Sequence, residues 1–434
     1  MTVGIERCLM SLDFTPPPSC YLPDEWWSQR PVLRRIRQAA YSRGRGADAL
    51  LAVVSCRVMA LVDYRWQIPP MVGAPASLNM LCGLIAPPGI GKSNTNGLAL
   101  ELVPFPDDMN IAYVPNGSGE GIAATFVGME GNKADGELVH RSAMFYCDEG
   151  AALDEIAKRT GSTFASQLRS AAHGAMIGQK NGNKNTNRIV PAHQYRMVFV
   201  AGFQPPNAGP FIANDREGTP QRFIWATPFD PIGRTDYNER PNWPGELHIT
   251  PSTPSGDCFV SFSDEIRFEI LLNDDVRQRG ESDESTTLDG HRDLERLRLA
   301  AVLATLDGHT ANVTDDDWEM ARQWSSASAA LRDYTLRWWN ATQAQDKRNE
   351  ASTRGLLADV TETSKRDAKV ERVARRIARC DDIKGTTEQQ PFSITGSWLG
   401  RDTRGDTNIK HEAITYGVER GWFKARGVSV WECQ

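Results

Sequence analysis

Ala86-Pro87-Pro88-Gly89-Ile90-Gly91-Lys92-Ser93 constrains this chain more than any other stretch. An apolar run, Leu81 to Ile85, precedes it, and Thr95 to Leu102 can continue as a helix. That strand–loop–helix setting gives a Gly-x-Gly-Lys-Ser loop its chemical meaning, because the amides then converge at a helix N-terminus. The backbone of Gly89, Ile90, Gly91, Lys92, Ser93 and Asn94 is the expected cradle for nucleotide phosphates. Lys92 is placed to reach the β- and γ-phosphates of ATP, and the Ser93 hydroxyl to ligate Mg²⁺. Ala86 stands where glycine is commoner, and Pro87 and Pro88 carry no amide hydrogen, so the donors lie in the second half of the loop. The bland alternative is a Gly-Pro turn with an incidental Lys-Ser.

A Mg²⁺-nucleotide site also needs carboxylates. Ala143-Met144-Phe145-Tyr146-Cys147 reads as a short buried strand ending in Asp148-Glu149-Gly150. Asp148 is expected to hold Mg²⁺, and Glu149 to orient and polarise the attacking water. The same pair could instead open a helix, Glu149 to Ala157, where negative charge favours the N-terminus.

The chain has 434 residues, 40% of them hydrophobic and 24% charged, enough for two to four structural units with sizeable cores. Its formal net charge is −6, so nucleic-acid contact has to come from local basic patches. Eight scattered cysteines form no C-x-x-C pair, which argues against a zinc ribbon or disulfide framework and fits a reducing cytoplasm. The first residues lack the charged-then-apolar order of a signal peptide. The longest apolar run, Ala47 to Leu61, contains Asp48 and Arg57 and is too short to span a bilayer, so no membrane partner is expected.

Residues 1–75 read as a helical region: a Pro-rich lead, a segment carrying Arg30, Arg34, Arg35 and Arg37, and a second helix from Asp48 to Trp66. Those arginines could form a DNA-binding face, or a solvated face or subunit contact. Residues 76–235 alternate strands and helices, with further strands expected at Asn110 to Val114, Tyr195 to Ala201 and Phe223 to Pro228 and a helix from Ile122 to Met129. This is the pattern of an α/β domain with a largely parallel sheet. Residues 236–345 read as a connecting segment followed by helices, including one spanning Arg292 to Ala304 with Leu294, Leu297 and Leu303 on adjoining turns. Residues 366–434 read as a small separate domain of three helices and a hairpin around a basic turn, with Arg401, Arg404, Lys410, Lys424 and Arg426 as candidate phosphate contacts.

Two further signals sit in the second domain. The strand from Tyr195 ends in Gly202-Phe203-Gln204-Pro205, which puts an amide side chain at its tip, with Asn207 in reserve. Thr219-Pro220-Gln221-Arg222-Phe223 sets an arginine immediately before another apolar strand, and a guanidinium suits the charge-spread transition state of phosphoryl transfer. Arg216 is a second candidate in that loop.

Together, Ala86–Ser93, Phe145–Glu149, Val198–Pro205 and Thr219–Trp225 resemble the AAA+ core of replicative ring helicases. The set is similar to superfamily 3 and related phage and plasmid helicases, including primase-helicases, with a Gln-Arg-Phe echo of minichromosome-maintenance helicases. The resemblance covers about residues 76–340. It implies a P-loop NTPase core with a helical lid, beside the helical N-terminal region, and the helix–helix–helix–hairpin order of residues 366–434 resembles a C-terminal winged helix. It implies that Gln204 contacts the γ-phosphate or its water, that Arg222 acts on a neighbouring subunit, and that a lid arginine (Arg292, Arg296 or Arg298) senses nucleotide. Helicases of this kind also carry a hairpin before the Gln204 strand. Here Met176 to Val190 has apolar ends and a polar, basic tip around Asn181-Gly182, so Lys180, Lys184 and Arg188 are the expected DNA contacts; an ordinary polar loop is the alternative. The resulting expectation is an ATP- and Mg²⁺-dependent DNA helicase of a phage, prophage or plasmid replication system. It would work as a homo-oligomeric, hexameric ring with a separate primase or initiator as partner. A DNA-binding initiator or regulator that uses ATP without unwinding is the alternative from another class.

Overall fold

Why the strands pair as they do follows from burial on both faces. The computed structural model describes residues 13–115, 117–127, 138–150, 153, 162–180, 187–214, 218–230, 239–281, 291–399 and 408–433. The described chain divides into two units, 13–342 and 343–433. In the larger unit the strands are β1 (Trp66–Ile68), β2 (Ala76–Ser77), β3 (Met80–Ile85), β4 (Ile111–Pro115), β5 (Ser142–Cys147), β6 (Ile177–Gln179), β7 (Arg188–Val190), β8 (Arg196–Phe203), β9 (Phe223–Ala226) and β10 (Cys258–Phe259). Its helices are α1 (Asp24–Ser28), α2 (Pro31–Ser42), α3 (Ala47–Leu61), α4 (Lys92–Leu102), α5 (Gly119–Val127), α6 (Phe164–His173), α7 (Pro205–Asn214), α8 (Asp264–Gln278), α9 (Arg292–Leu306) and the first turns of α10 (Asp315–Ala378).

The central sheet is five-stranded and parallel, in the order β4-β5-β8-β3-β9. Alternation along each strand sorts its side chains into two cores. Met80, Cys82, Leu84, Val198 and Val200 face α2, α3, α4 and α9. Leu81, Ile85, Phe145, Phe199, Phe203, Phe223 and Trp225 face α5, α6 and α7. The expected α/β class therefore holds, with a P-loop-compatible parallel sheet between helical layers. Gly83 sits opposite Trp225 on β9, and a Cβ there would fall 2.4 Å from the indole ring. The ring occupies the volume that glycine leaves.

The second N-terminal helix ends at Leu61, short of the expected Trp66, for a local reason. Asp63 accepts hydrogen bonds from the Arg65 amide (2.9 Å) and pairs with the Arg65 guanidinium (2.7 Å), so its side chain competes with the helical ladder. Trp66 then pairs with Cys258 in β1. The arginines before it are engaged within the chain: Arg30 with Asp317 (2.6 Å), Arg34 with the Ser28 carbonyl, Arg35 with those of Pro244 and Glu246, and Arg37 with Tyr41 and Asp24.

The smaller unit holds the last turns of α10, β11 (Phe392–Ser393), α11 (Gly396–Leu399), α12 (Asn408–Glu419), β12 (Lys424–Arg426) and β13 (Ser429–Trp431). Its strands form an antiparallel sheet in the order β11-β13-β12. Val373, Ile377, Leu399, Ala413, Phe423 and Val430 build a core of its own. Among the described residues no helix is long and apolar enough to cross a membrane.

Overpacking tests the sheet. Gly83→Ala should lower the unfolding free energy by about 1–3 kcal/mol, because either Trp225 or β3 has to shift. Denaturant midpoints measure it, and an unchanged midpoint would contradict the tight Gly83–Trp225 approach.

Candidate functional site

The loop between β3 and α4 has the backbone its glycines permit. Gly89 and Gly91 take φ of 79° and 102°, a region that side chains rarely adopt, and Gly91 serves as the N-cap of α4. The loop starts in register with its neighbour, since the Ala86 amide donates to the Phe203 carbonyl at 3.1 Å. Lys92 folds back over the loop, its ammonium donating to the carbonyls of Ala86 (2.8 Å) and Pro87 (3.2 Å). Burial pushes the Lys92 pKa down, and the Asp148 carboxylate opposes that shift.

β5 brings the acidic pair to the same edge. The Ser93 hydroxyl donates to Asp148 Oδ1 at 2.6 Å, and the Tyr146 hydroxyl donates to the same oxygen at 2.8 Å. Burial and the adjacent Asp148 carboxylate push the Tyr146 hydroxyl up, so it remains a donor. Glu149 is exposed beside Asp148. Gly150 continues the edge by donating to the Gly202 carbonyl at 2.6 Å. A Cβ on Gly202 would lie 2.7 Å from the Asp148 carbonyl and 3.5 Å from Lys92 Cδ, so the glycine is what lets loop and acidic strand approach.

Gln204 follows Phe203, which pairs with Ile85 of β3. Because β8 lies between β3 and β5, its tip falls between the β3–α4 loop and the acidic pair. Gln204 is exposed there, and its carbonyl starts α7 by accepting from Asn207 and Ala208 at 2.9 Å. Lys92, Ser93, Asp148, Glu149 and Gln204 thus converge from three strand ends. Tyr146 and Gly202 escaped the sequence reading. The available signal for Tyr146 was its spacing, two residues before Asp148 and so on the same strand face.

The oxygens present suit Mg²⁺, a hard cation that takes a few protein ligands plus substrate phosphates and water. Among the described residues no group of three or more His, Cys, Asp or Glu could hold a metal ion by itself, so Ser93 and Asp148 would need phosphate oxygens to complete the sphere.

Other expected residues lie elsewhere. Arg222 precedes β9 at the opposite end of the sheet from the β3–α4 loop, where its guanidinium donates to the Gly218 carbonyl at 2.6 Å. Arg298 is buried at that same end and donates to the carbonyls of Ser77 and Ala172. Arg296 lies 3.9 Å from Asp293. β6 and β7 pair in the expected antiparallel hairpin, and Gln179, the last residue of β6, donates to Glu120 on the first turn of α5 (2.8 Å). Lys180 is exposed and Arg188 half-buried at the ends of these strands. Lys184, the Asn181-Gly182 turn, Arg216, Arg401, Arg404 and most of the helix expected from Glu149 to Ala157 lie outside the described residues. In the smaller unit Lys410 donates to the Ile394 carbonyl (3.3 Å), while Lys424 and Arg426 are exposed on β12.

Comparison with protein-family models finds no match, and comparison with curated proteins finds none either.

The end of the sheet near Arg222 carries a pH signature. Burial, with the charges of Arg298 and Arg222, pushes His173 down to about 4. Burial, with Arg222 and His173 leading the charge effects, pushes His291 down to about 3. Histidines held neutral by the fold take up protons only on unfolding. Their contribution is full above the ordinary value of 6.5 and is lost as the pH falls toward 4. Lowering the pH from 7.5 to 5.5 should weaken the fold by about 1 kcal/mol per histidine, and His291→Asn should remove its share. Urea midpoints at the two pH values check this.

Proposed function

We propose that the chain is a Mg²⁺-dependent ATPase of the AAA+ ring-helicase kind that unwinds DNA. The observation that carries this reading is the 2.6 Å contact between Ser93 and Asp148, beside Lys92 and with Gln204 between the two strands. A hydroxyl, a carboxylate, a lysine and an exposed amide at adjoining strand ends suit phosphoryl transfer to water. Bound Mg²⁺ would neutralise developing phosphate charge, held through Ser93 and Asp148. Lys92 would leave the loop carbonyls for the β- and γ-phosphates, Glu149 would orient and polarise the attacking water, and Gln204 would hydrogen-bond the γ-phosphate or that water.

On this reading α8, α9 and the first turns of α10 form the lid, and residues 366–434 form a winged helix. The order helix–helix–helix–hairpin and the β11-β13-β12 sheet support the second assignment. The hairpin with Lys180, Lys184 and Arg188 would meet single-stranded DNA inside a hexameric ring. Arg222, remote from the phosphate loop of its own chain, would serve a neighbouring one, with a separate primase or initiator as partner.

Forked-duplex unwinding with Mg²⁺-ATP tests the proposal. Lys92→Ala should abolish ATP binding and turnover, whereas Glu149→Gln should keep ATP bound and stall hydrolysis. Near wild-type turnover in both variants would sink the assignment, and hydrolysis without unwinding would favour the initiator or regulator reading. Arg222→Ala should lose on the order of 10³-fold in turnover. Mixing it with Glu149→Gln should restore partial ATPase, since some interfaces then combine intact Glu149 and Arg222. No recovery despite demonstrated subunit exchange would exclude a trans-acting Arg222.

A further inference from the structure

We propose that Arg45, in the turn between α2 and α3, is a phosphate ligand supplied to the nucleotide site of its own chain. We further infer that the nucleoside lies in the recess between that turn and α4. The inference rests on reading Ala86–Ser93 as a nucleotide site.

The turn is fixed on every side. After α2, the Gly44 amide donates to Tyr41 (3.0 Å) and the Arg45 amide to Ala40 (2.9 Å), with Gly44 left-handed at φ 63°. These bonds close the helix C-terminus and aim the next residue outward. The Gly46 amide then donates to the Pro228 carbonyl at 3.2 Å, and a Cβ on Gly46 would come within 2.6 Å of that oxygen. Pro228 follows β9, the neighbour of β3, so the turn is clamped at the edge where the phosphate loop emerges.

The Arg45 side chain lies on the loop. A Cβ built on Gly91 falls 3.0 Å from Arg45 Cζ and Nε. Among the described residues Arg45 has no carboxylate partner, and its side chain makes a single long bond, 3.4 Å, to the Gly44 carbonyl. A half-buried guanidinium without a carboxylate, seated on a loop shaped for phosphate, is equipped to bind an anion through two parallel donors.

The recess beside it, about 380 Å³, is lined by Arg43, Arg45, Ser93, Asn94, Gly97 and Glu101. That falls within the range of small-molecule sites. A Cβ on Gly97 would meet nothing within 4 Å, so the space over the second turn of α4 is open. The Arg43–Glu101 ion pair (3.3 Å) bounds the recess. A phosphate chain running from Lys92 past Ser93 and Asn94 leads into it.

Calorimetric titration of the full chain with ADP and with inorganic pyrophosphate, both with Mg²⁺, separates the outcomes. Arg45→Ala should weaken both ligands about tenfold or more, with Arg45→Gln as the neutral polar variant and thermal unfolding as the folding control. Gly97→Leu, which fills the recess, should weaken ADP and leave pyrophosphate unchanged. Wild-type affinity in both Arg45 variants would overturn the Arg45 assignment while leaving the nucleotide site intact. Equal weakening of ADP and pyrophosphate by Gly97→Leu would overturn the nucleoside placement. A wild-type chain that binds neither ligand would overturn this inference and the nucleotide site together.

Discussion

α3 is apolar on all sides and must therefore be surrounded, and the larger unit is built around that demand. Every residue from Ala47 to Leu61 except Asp48 is buried, against the sheet below and against α2, α4 and α9 at the flanks. A helix of this kind cannot sit in a peripheral domain. It makes the N-terminal region one wall of the parallel-sheet core and brings the preceding Gly44–Gly46 turn to the mouth of the β3–α4 loop. Each large apolar side chain withdrawn from water contributes about 1.5–3 kcal/mol, so displacing α3 would expose far more than such a fold's net stability.

Arg57, Arg196 and Arg298 complete that wall in a different way. All three are buried, and burial pushes them down to about 10, 9 and 9. Their donors reach backbone carbonyls at or near the ends of elements: Val103 for Arg57, Val62, Asp63 and Trp66 for Arg196, and Ser77 and Ala172 for Arg298. A buried unpaired carbonyl costs about as much as a lost hydrogen bond, and one guanidinium can satisfy several. These cations act as struts. The residues at the strand tips, by contrast, are half-buried or exposed.

The two ends of the sheet consequently differ in character. The C-terminal edges of β3, β5 and β8 carry Lys92, Asp148, Glu149 and Gln204, half-buried or exposed and open to a ligand. Parallel strands put every such tip on one side, and the insertion of β8 between β3 and β5 spaces the loop and the acidic pair so that a side chain can stand between them. The opposite edge is packed with Arg222, Arg298 and two histidines held neutral by burial and cationic neighbours. An open polar end and a packed cationic end share one sheet.

Local chain properties were legible without coordinates. Gly89 and Gly91 at fixed spacing before Lys92-Ser93 announce a loop with positive φ, and the apolar runs at 81–85 and 143–147 announce strands, because both signals are written within a few consecutive residues. The end of α3 was misread for the same reason in reverse: apolar and aromatic residues continue to Trp66, while the interruption comes from the side chain of Asp63 bonding its own turn. What only the tertiary structure decided was adjacency between distant segments. That Asp148 and Tyr146 meet Ser93, that Gly202 permits the approach, and that Arg45 lies on Gly91 all depend on strand order and on where a helix buried on nearly every side is forced to pack. No residue type encodes such adjacency by itself, since it follows from how separate elements share one buried surface.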